Sequence, residues 1–221
     1  MANSCINEKF ELSYDSIKMM KIPININEYS IQKVVTESQF CLVVSASNTK
    51  NSQKVAIKFI PIKYFQRDGK EDLIMRQLNH PNIIKLIDSF LYPIKNPRFF
   101  AIVMPLAILD LDTYIYNNGP LSEAMVWKIM KDSLKAIKYM HKNNIWHRDI
   151  KLENILVVEE GYNGLSIVIS DFGISDIIET EIYHGRCVGT LQFAAPELLE
   201  LNLGRLEFKK ITDCMFFNNF N

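Results

Sequence analysis

The chain has 221 residues, of which 48% are hydrophobic and 23% are charged, a composition typical of a globular protein with a substantial core. Its 25 basic and 25 acidic residues cancel, so neither nucleic acid nor an anionic membrane is indicated as a partner. The four cysteines form no C-x-x-C pair, the N-terminus lacks a signal-peptide core, and no apolar run is long enough to span a bilayer. We therefore expect a cytoplasmic protein, and a nuclear location is also open.

The first half of the chain favours strands after a segment without clear periodicity. Residues 1–27 mix polar and apolar groups irregularly around Pro23, and we interpret them as an N-terminal extension. Apolar runs at residues 40–44 and 55–60 flank a polar turn at residues 48–53, which predicts a hairpin. Residues 99–104 predict a buried strand that ends at Pro105.

Two helices are predicted from apolar spacing. The first begins near Glu71 and ends before Pro81, because apolar residues recur at helical intervals. Ser122 is a suitable N-cap for the second helix. Its apolar stripe comprises Val126, Ile129, Met130, Leu134, Ile137 and Met140. Further along, strands are expected at residues 155–158 and 167–169, on either side of a polar turn at residues 159–164.

The polar run at residues 147–154 reads H-R-D-I-K-L-E-N and lies between two apolar segments. An isolated H-R-D would most simply be a solvated loop with an incidental ion pair. Here Asp149 is followed by Lys151 and Asn154 in a spacing that suits phosphoryl transfer. A carboxylate orients a hydroxyl nucleophile, an ammonium offsets charge on the moving phosphoryl group, and an amide oxygen helps to hold a metal ion.

These residues resemble the catalytic loop of eukaryotic protein kinases. The lysine of D-I-K resembles the residue found there in the serine/threonine branch of the family. The resemblance extends from about Tyr29 to Asp213. It implies an α+β, two-lobe protein-kinase-like fold, with a small β-rich N-lobe and hinge at residues 28–107 and an incomplete helical C-lobe at residues 108–221. It also implies transfer of the γ-phosphate of ATP, with Mg²⁺, to a hydroxyl of a protein substrate.

The resemblance assigns roles to residues in both lobes. The V-A-I-K strand at residues 55–58 places Lys58 on the α- and β-phosphates, paired with Glu71, while Asp72 is the alternative partner. Asp171 of D-F-G and Asn154 are the implied metal ligands. The implied adenine contacts are Val35, Val43, Ala56, the gatekeeper Met104, the Pro105 carbonyl, the Ala107 amide and Leu156. An internal stack is implied for Met75, Leu86, His147 and Phe172.

The resemblance also identifies an activation segment at residues 174–194, followed by A-P-E at residues 195–197. The hydroxyl of Thr190 is implied to contact Asp149 and Lys151. Arg148 is a candidate partner for a phosphorylated residue in this segment. The position four residues before Thr190 is Arg186, which cannot be phosphorylated. The available hydroxyls are on Ser175, Thr180 and Tyr183.

Two features depart from the family pattern. The three positions of the glycine-rich loop are occupied by Thr36, Ser38 and Cys41, and no glycine occurs before Gly69. Their side chains should hold the loop away from phosphates or change its path, which predicts weaker nucleotide binding despite the two hydroxyls. After a segment resembling the start of the αF helix at residues 210–214, the likeness ends. The apolar surface left bare would need a protein partner, unless the chain is a fragment.

Three functions therefore stay open from the sequence. The first is a serine/threonine protein kinase, favoured by the complete set of polar catalytic residues. The second is a pseudokinase or scaffold module that binds nucleotide or a partner without turnover, favoured by the missing glycines. A small-molecule phosphotransferase of related fold is a distant third, because A-P-E and the activation segment suit protein substrates.

Overall fold

The computed structural model describes residues 25–38, 40–62, 64–65, 70–92, 99–162, 164–177, 189–190 and 192. Several sequence-based expectations fall outside these residues: most of the N-terminal extension, the phosphorylation candidates Thr180 and Tyr183, the A-P-E motif and everything after it. A partner covering the apolar surface expected to be left bare stays a prediction.

A six-stranded antiparallel sheet forms the first half of the described chain, in the order β1-β2-β3-β4-β6-β5. Its strands are β1 Asn25–Ile26, β2 Tyr29–Glu37, β3 Leu42–Asn48, β4 Lys54–Pro61, β5 Asp88–Tyr92 and β6 Phe99–Pro105. The sheet thus begins inside the predicted extension, and the boundary at residue 28 stays a prediction. Helix α1 (Glu71–Gln77) lies between β4 and β5 in the chain.

Strand β4 is buried on both faces, which explains its nearly continuous apolar composition. Side chains alternate across a strand, so Val55, Ile57 and Phe59 pack into one hydrophobic cluster. Ala56 and Ile60 face the opposite way, into the larger cluster. Lys58 shares this second face and is 9% exposed. The strand therefore directs a lysine toward the interior of the molecule.

The second half contains the longer helices and three small pairings of strands. Its elements are β7 Leu109–Asp110, α2 Leu111–Asn118, α3 Glu123–Lys142, β8 Ile145–Trp146, a 3₁₀ turn Leu152–Asn154, β9 Ile155–Gly161, β10 Gly164–Ile169 and β11 Asp176–Ile177. Strands β10, β9 and β7 form one sheet, and β11 pairs with β8. The Asp110 carboxylate caps α2 by accepting from the Thr113 amide, and Ser122 caps α3 as predicted, accepting from the Met125 amide.

Two local predictions in this half are wrong. The polar turn predicted at residues 159–164 is mostly strand, because β9 and β10 stay paired out to Gly161 and Gly164. The buried stripe of α3 consists of Ile129, Ser133, Ala136, Ile137 and Met140. Leu134 is 41% exposed and lies off this stripe, while the small residues Ser133 and Ala136 are fully buried.

The two halves share one hydrophobic core. The larger cluster joins Ala56 of β4 and Met75 of α1 to Leu111, Ile167 and Phe172. The backbone adds a direct link, because the Ile84 amide donates to the Ile169 carbonyl oxygen at 2.9 Å and the Ile169 amide donates to the Asn82 carbonyl oxygen at 2.9 Å. This junction fixes the position of residues 170–173 relative to β4 and α1. No helix within the described ranges is both long and apolar enough to cross a membrane.

Candidate active site

A buried lysine joins three separate elements. Lys58 Nζ donates to Glu71 Oε1 at 2.8 Å and Oε2 at 3.0 Å, and to Asp171 Oδ1 at 2.8 Å. The side chains of Lys58 and Glu71 are 11% and 4% exposed, whereas that of Asp171 is 48% exposed. Asp72, the alternative partner, instead contacts Ser89 and Arg76. Of the two acids considered from the sequence, Glu71 is the one that pairs with the lysine.

The electrostatics of this trio follow from burial and charge. Burial alone would lower the pKa of Lys58, but the carboxylates of Asp171 and Glu71 outweigh it and raise that pKa. The positive charge of Lys58 lowers the pKa of Asp171 to about 2 against the opposing effect of burial. Burial raises the pKa of Glu71, although Lys58 opposes this. The half-exposed carboxylate of Asp171 therefore stays charged near neutral pH and faces the cleft.

A second polar cluster surrounds Asp149. Its Oδ1 accepts from the Thr190 amide at 3.0 Å and from the Thr190 hydroxyl at 2.7 Å. Its Oδ2 accepts from Asn154 Nδ2 at 3.0 Å and lies 3.0 Å from Lys151 Nζ. Lys151 Nζ also donates to the Thr190 hydroxyl at 2.8 Å. The structure thus brings together the four residues that the sequence predicted to meet, and the carboxylate is held in one orientation.

The backbone around both clusters is constrained. Arg148 and Asp171 have positive φ angles of 68° and 66°, an unfavourable region for side chains other than glycine that recurs at active sites. The His147 ring packs edge-on against Phe172 with centroids 5.0 Å apart. Phe172 and Met75 belong to the larger cluster, and Leu86 packs against it. Of the interior stack expected from the sequence, the structure shows the contact between His147 and Phe172, and it places Phe172 and Met75 in one core.

The expected adenine contacts lie along the edge of the same core. Ala56 on β4 and Met104 on β6 are paired across the sheet and are 7% and 9% exposed. Val43 and Leu156 are half-buried against the larger cluster. Val35 is 50% exposed, and Pro105 and Ala107 are half-buried at and after the end of β6. None of these described residues lines the cavity that is bounded by Lys58, Asp149 and Asp171, so their contact with adenine stays a prediction.

A cavity of about 330 Å³ lies between the turn joining β2 to β3 and the two polar clusters around Lys58 and Asp149. The turn side consists of Ser38, Phe40 and Cys41, while Lys58, Asp149 and Asp171 line the inner side. Glycine at 173 keeps this space open, because a Cβ there would come 3.2 Å from Asp171 Oδ1. The lining matches a site for an anionic group held between a backbone turn and a lysine.

The turn that replaces the glycine-rich loop is closed by its own hydrogen bonds. The Ser38 amide donates to the Cys41 carbonyl oxygen at 2.9 Å. The Ser38 hydroxyl oxygen accepts from the amides of Phe40 and Cys41, each at 3.2 Å. These amides are therefore occupied by a side chain of the same loop, which is a physical reason for the weak phosphate binding predicted from the missing glycines.

The donor set suits Mg²⁺ held jointly with phosphate. Asp171 presents a charged carboxylate to the cleft, and Asn154 offers its amide oxygen because its nitrogen donates to Asp149. In the part of the chain that the structure describes, no group of three or more His, Cys, Asp or Glu side chains could hold a metal by itself. Mg²⁺ commonly uses one or two protein oxygens together with substrate phosphates, so these residues fit it.

Comparison with known proteins agrees with this arrangement. The sequence profile of the protein kinase domain matches residues 29–213. The chain belongs to the protein kinase family. The α+β, two-lobe kinase fold expected from the sequence is confirmed, with a β-rich first lobe. Protein kinases in general use ATP with a divalent metal ion and act on protein substrates.

Relatives named as serine/threonine-protein kinases are among the similar proteins. The chain is 33% identical to a probable serine/threonine-protein kinase KIN1 homolog of Encephalitozoon cuniculi and 34% identical to the homolog of Enterocytozoon bieneusi, over 79% and 86% of its length. It is also 33% identical, over 79% of its length, to the carbon catabolite-derepressing protein kinase of Saccharomyces cerevisiae. The matches cover 32%, 31% and 27% of these relatives, so the chain spans about a third of their length.

The sequence did not reveal all of the cleft. Phe40 meets Tyr64 edge-on with ring centroids 5.5 Å apart, and both line the cavity. Cys41 also lines it, and burial raises the pKa of its thiol. Asp176 contacts Arg148 and Lys70. An aromatic residue beside the degenerate loop was the only available signal for Phe40, and a single aspartate gave none for Asp176.

Replacing Lys58 by methionine should raise the pKa of Asp171, because the charge that lowers it is removed. In the native chain the depressed pKa stabilises the fold above about pH 3.8, and this contribution is lost as the pH falls toward about 2. In Lys58→Met this acid-side loss of stability should become smaller, because the folded-state pKa of Asp171 moves toward its unfolded value. NMR titration of ¹³C-labelled aspartates measures the shift, with Asp171→Asn to identify the signal. Lys151→Met is the control, and an unchanged Asp171 pKa in Lys58→Met would contradict the pairing.

Gly189→Ala should detach Thr190 from Asp149. Gly189 has a φ of 109°, and a Cβ would overlap the carbonyl oxygen of Arg148. The Thr190 amide should then exchange with solvent on the order of tenfold faster, since it loses a charge-assisted hydrogen bond. Hydrogen exchange followed by NMR tests this. Gly119→Ala is the control, because Gly119 also has a positive φ but its added Cβ would meet nothing within 4 Å. It therefore separates the effect of a steric clash from that of backbone strain. Equal exchange rates of the Thr190 amide in both variants would refute its contact with Asp149.

Proposed function

We propose that this chain is the catalytic part of a serine/threonine protein kinase that transfers the γ-phosphate of ATP to a hydroxyl of a protein substrate. The observation that carries the proposal is the convergence of Lys58, Asp149 and Asp171 on one cavity, although they lie far apart in sequence. The family match and the serine/threonine kinases among the relatives support the reaction class.

In the proposed reaction Lys58 binds the α- and β-phosphates of ATP, and Glu71 holds it in place. Asp171 and Asn154 hold Mg²⁺, which supplies positive charge to the phosphates. Val35, Val43, Ala56, Met104 and Leu156 enclose the adenine. The Pro105 carbonyl oxygen and the Ala107 amide are its proposed polar contacts. The phosphate assignments are supported by the cavity, since Lys58, Glu71 and Asp171 line it together with Asp149.

Asp149 is the proposed base for the substrate hydroxyl. Its carboxylate already accepts from Thr190, Asn154 and Lys151, so its orientation is fixed before substrate binds. The Thr190 hydroxyl donates to Asp149 while it accepts from Lys151. A substrate hydroxyl has to approach the same carboxylate, where Lys151 would offset the charge of the phosphoryl group being transferred.

The Asp149→Asn variant should lose at least two orders of magnitude in transfer rate, since a carboxamide cannot accept the proton. The assay combines the purified chain, Mg²⁺, γ-labelled ATP and a generic basic protein rich in serine and threonine. Asp112→Asn serves as the matched control, because Asp112 is an exposed residue in the first turn of α2. ATP binding with no Asp149-dependent transfer would instead identify a pseudokinase that works as a binding module.

Ser38→Ala should tighten ATP binding about fivefold, because the amides of Phe40 and Cys41 lose their internal acceptor and become available to phosphate. Ser38→Gly should tighten it further, since it also removes the Cβ. Titration calorimetry measures the dissociation constants. Ser52→Gly is the control, in a turn at the other end of β3 with a φ of 60°. Unchanged or weaker binding in Ser38→Ala would show that the hydroxyl does not compete with phosphate.

A further inference from the structure

Asp176 lies between two basic side chains that belong to different elements of the fold. Its Oδ1 is 2.8 Å from Lys70 Nζ, and its Oδ2 is 3.6 Å from Arg148 Nη1. Lys70 is the residue immediately before α1, and Arg148 belongs to the catalytic loop next to Asp149. One carboxylate thus connects the start of the helix that bears Glu71 with the loop that bears the proposed base.

The position of Asp176 is itself fixed by the backbone. Asp176 pairs with Trp146 in the short β11–β8 ladder. The preceding Ser175 is 4% exposed, and its hydroxyl donates to the His147 carbonyl oxygen at 3.1 Å. Arg148 Nε donates to the Ile174 carbonyl oxygen at 2.6 Å, on the same short segment. The carboxylate therefore projects from a strand that is attached to the catalytic loop along its length.

Helix α1 needs such a contact. It has seven residues, and its N-cap residue Lys70 provides no side-chain cap. A helix this short is unstable alone and depends on tertiary contacts for its position. Its first residue is Glu71, the partner of Lys58. A displacement of the start of α1 would therefore separate that pair directly.

The charge state of Asp176 suits a permanent tether. Burial alone would raise its pKa, but the hydrogen bond from Lys70 and the charge of Arg148 outweigh this and lower it. The facing ionisable groups are Lys70 from the α1 side and Arg148 from the catalytic loop, and the Ile177 amide also donates to the carboxylate. The carboxylate stays ionised throughout the neutral range.

Phosphorylation of an activation segment commonly orders a kinase by giving an arginine an anionic partner. Here the anion is encoded in the chain. Of the hydroxyls considered as phosphorylation sites, Ser175 is buried and engaged with His147, and the position four before Thr190 is an arginine.

We propose that Asp176 is a positioning residue that links Lys70 to Arg148 and so holds α1 against the catalytic loop without a phosphate on the activation segment. The inference rests on the proposed kinase function for its catalytic consequence. Its structural part, the coupling of α1 to the catalytic loop, is measurable in the absence of any activity. Glu71, the partner of Lys58, would then be in place without phosphorylation of the chain.

The test compares hydrogen exchange in the full chain after phosphatase treatment, with intact mass used to verify that no phosphate remains. Asp176→Asn should speed exchange about two- to fivefold in peptides covering residues 71–77 and 147–151, the range expected from losing partly exposed ion pairs. Peptides from α3 should be unchanged. Asp176→Glu should retain the protection, because the carboxylate is kept. Faster exchange throughout the molecule would reveal a merely structural role and overturn the proposal.

A double substitution isolates the link to α1. Lys70→Gln should speed exchange in residues 71–77, and adding it to Asp176→Asn should cause little further change there, because both remove one interaction. Lys54→Gln and Asp112→Asn, at exposed positions, are the matched controls. Fully additive effects of the two substitutions on exchange in α1 would overturn the link between Lys70 and Asp176. Slow exchange of α1 that appears only after phosphorylation of the chain would also overturn it.

A kinetic measurement separates this proposal from the proposed function. If the chain transfers phosphate, Asp176→Asn should raise KM for ATP and lower kcat by a similar small factor, and Asp176→Glu should restore both. Absence of transfer in the native chain would refute the proposed function but not the coupling, which the exchange data decide. Normal kinetics in Asp176→Asn together with unchanged exchange would refute the coupling alone.

Discussion

The structure depends above all on one buried cation. Lys58 lies on the inner face of β4, where an unpaired ammonium would be strongly destabilising, and it is compensated by carboxylates from α1 and from the D-F-G turn. Because a buried charge must keep its partners, the sheet, the helix and the turn are held in one relative position. The cleft, its negative rim at Asp171 and the orientation of Phe172 against His147 all follow from that requirement.

Around this cation the site is held in place by the protein's own contacts. Asp149 is held by several donors, and Arg148 and Asp171 adopt positive φ angles. Such backbone strain persists only where the surroundings fix the chain. Here a hydrogen bond between His147 Nε2 and the Ser170 carbonyl oxygen joins the catalytic loop to the residue before the D-F-G turn. The turn at Ser38 differs, because its amides are satisfied internally. The catalytic half of the cleft is thus preorganised, whereas the phosphate-covering half must first release its own hydrogen bonds.

Much of this was predictable from local patterns. The family, the fold and the cap at Ser122 are confirmed, because motif spacing and capping chemistry are encoded over a few residues. Leu134 was misplaced because apolar spacing alone does not reveal that the buried face of α3 includes the small residues Ser133 and Ala136. The hairpin at residues 159–164 was misjudged because polar residues also suit exposed strands. The contacts of Asp176 could not be predicted, because its two partners come from distant segments that only the folded chain brings together.

The most direct test is a crystal structure of the chain with Mg²⁺ and a non-hydrolysable ATP analogue. The role of Lys58 in a nucleotide cleft predicts the triphosphate in the cavity between the Ser38 turn and Asp171, with Lys58 on the α- and β-phosphates and still paired with Glu71. It also predicts the terminal phosphate beside Lys151 and Asp149. A nucleotide bound elsewhere, or Lys58 separated from Glu71 while the triphosphate is present, would contradict it.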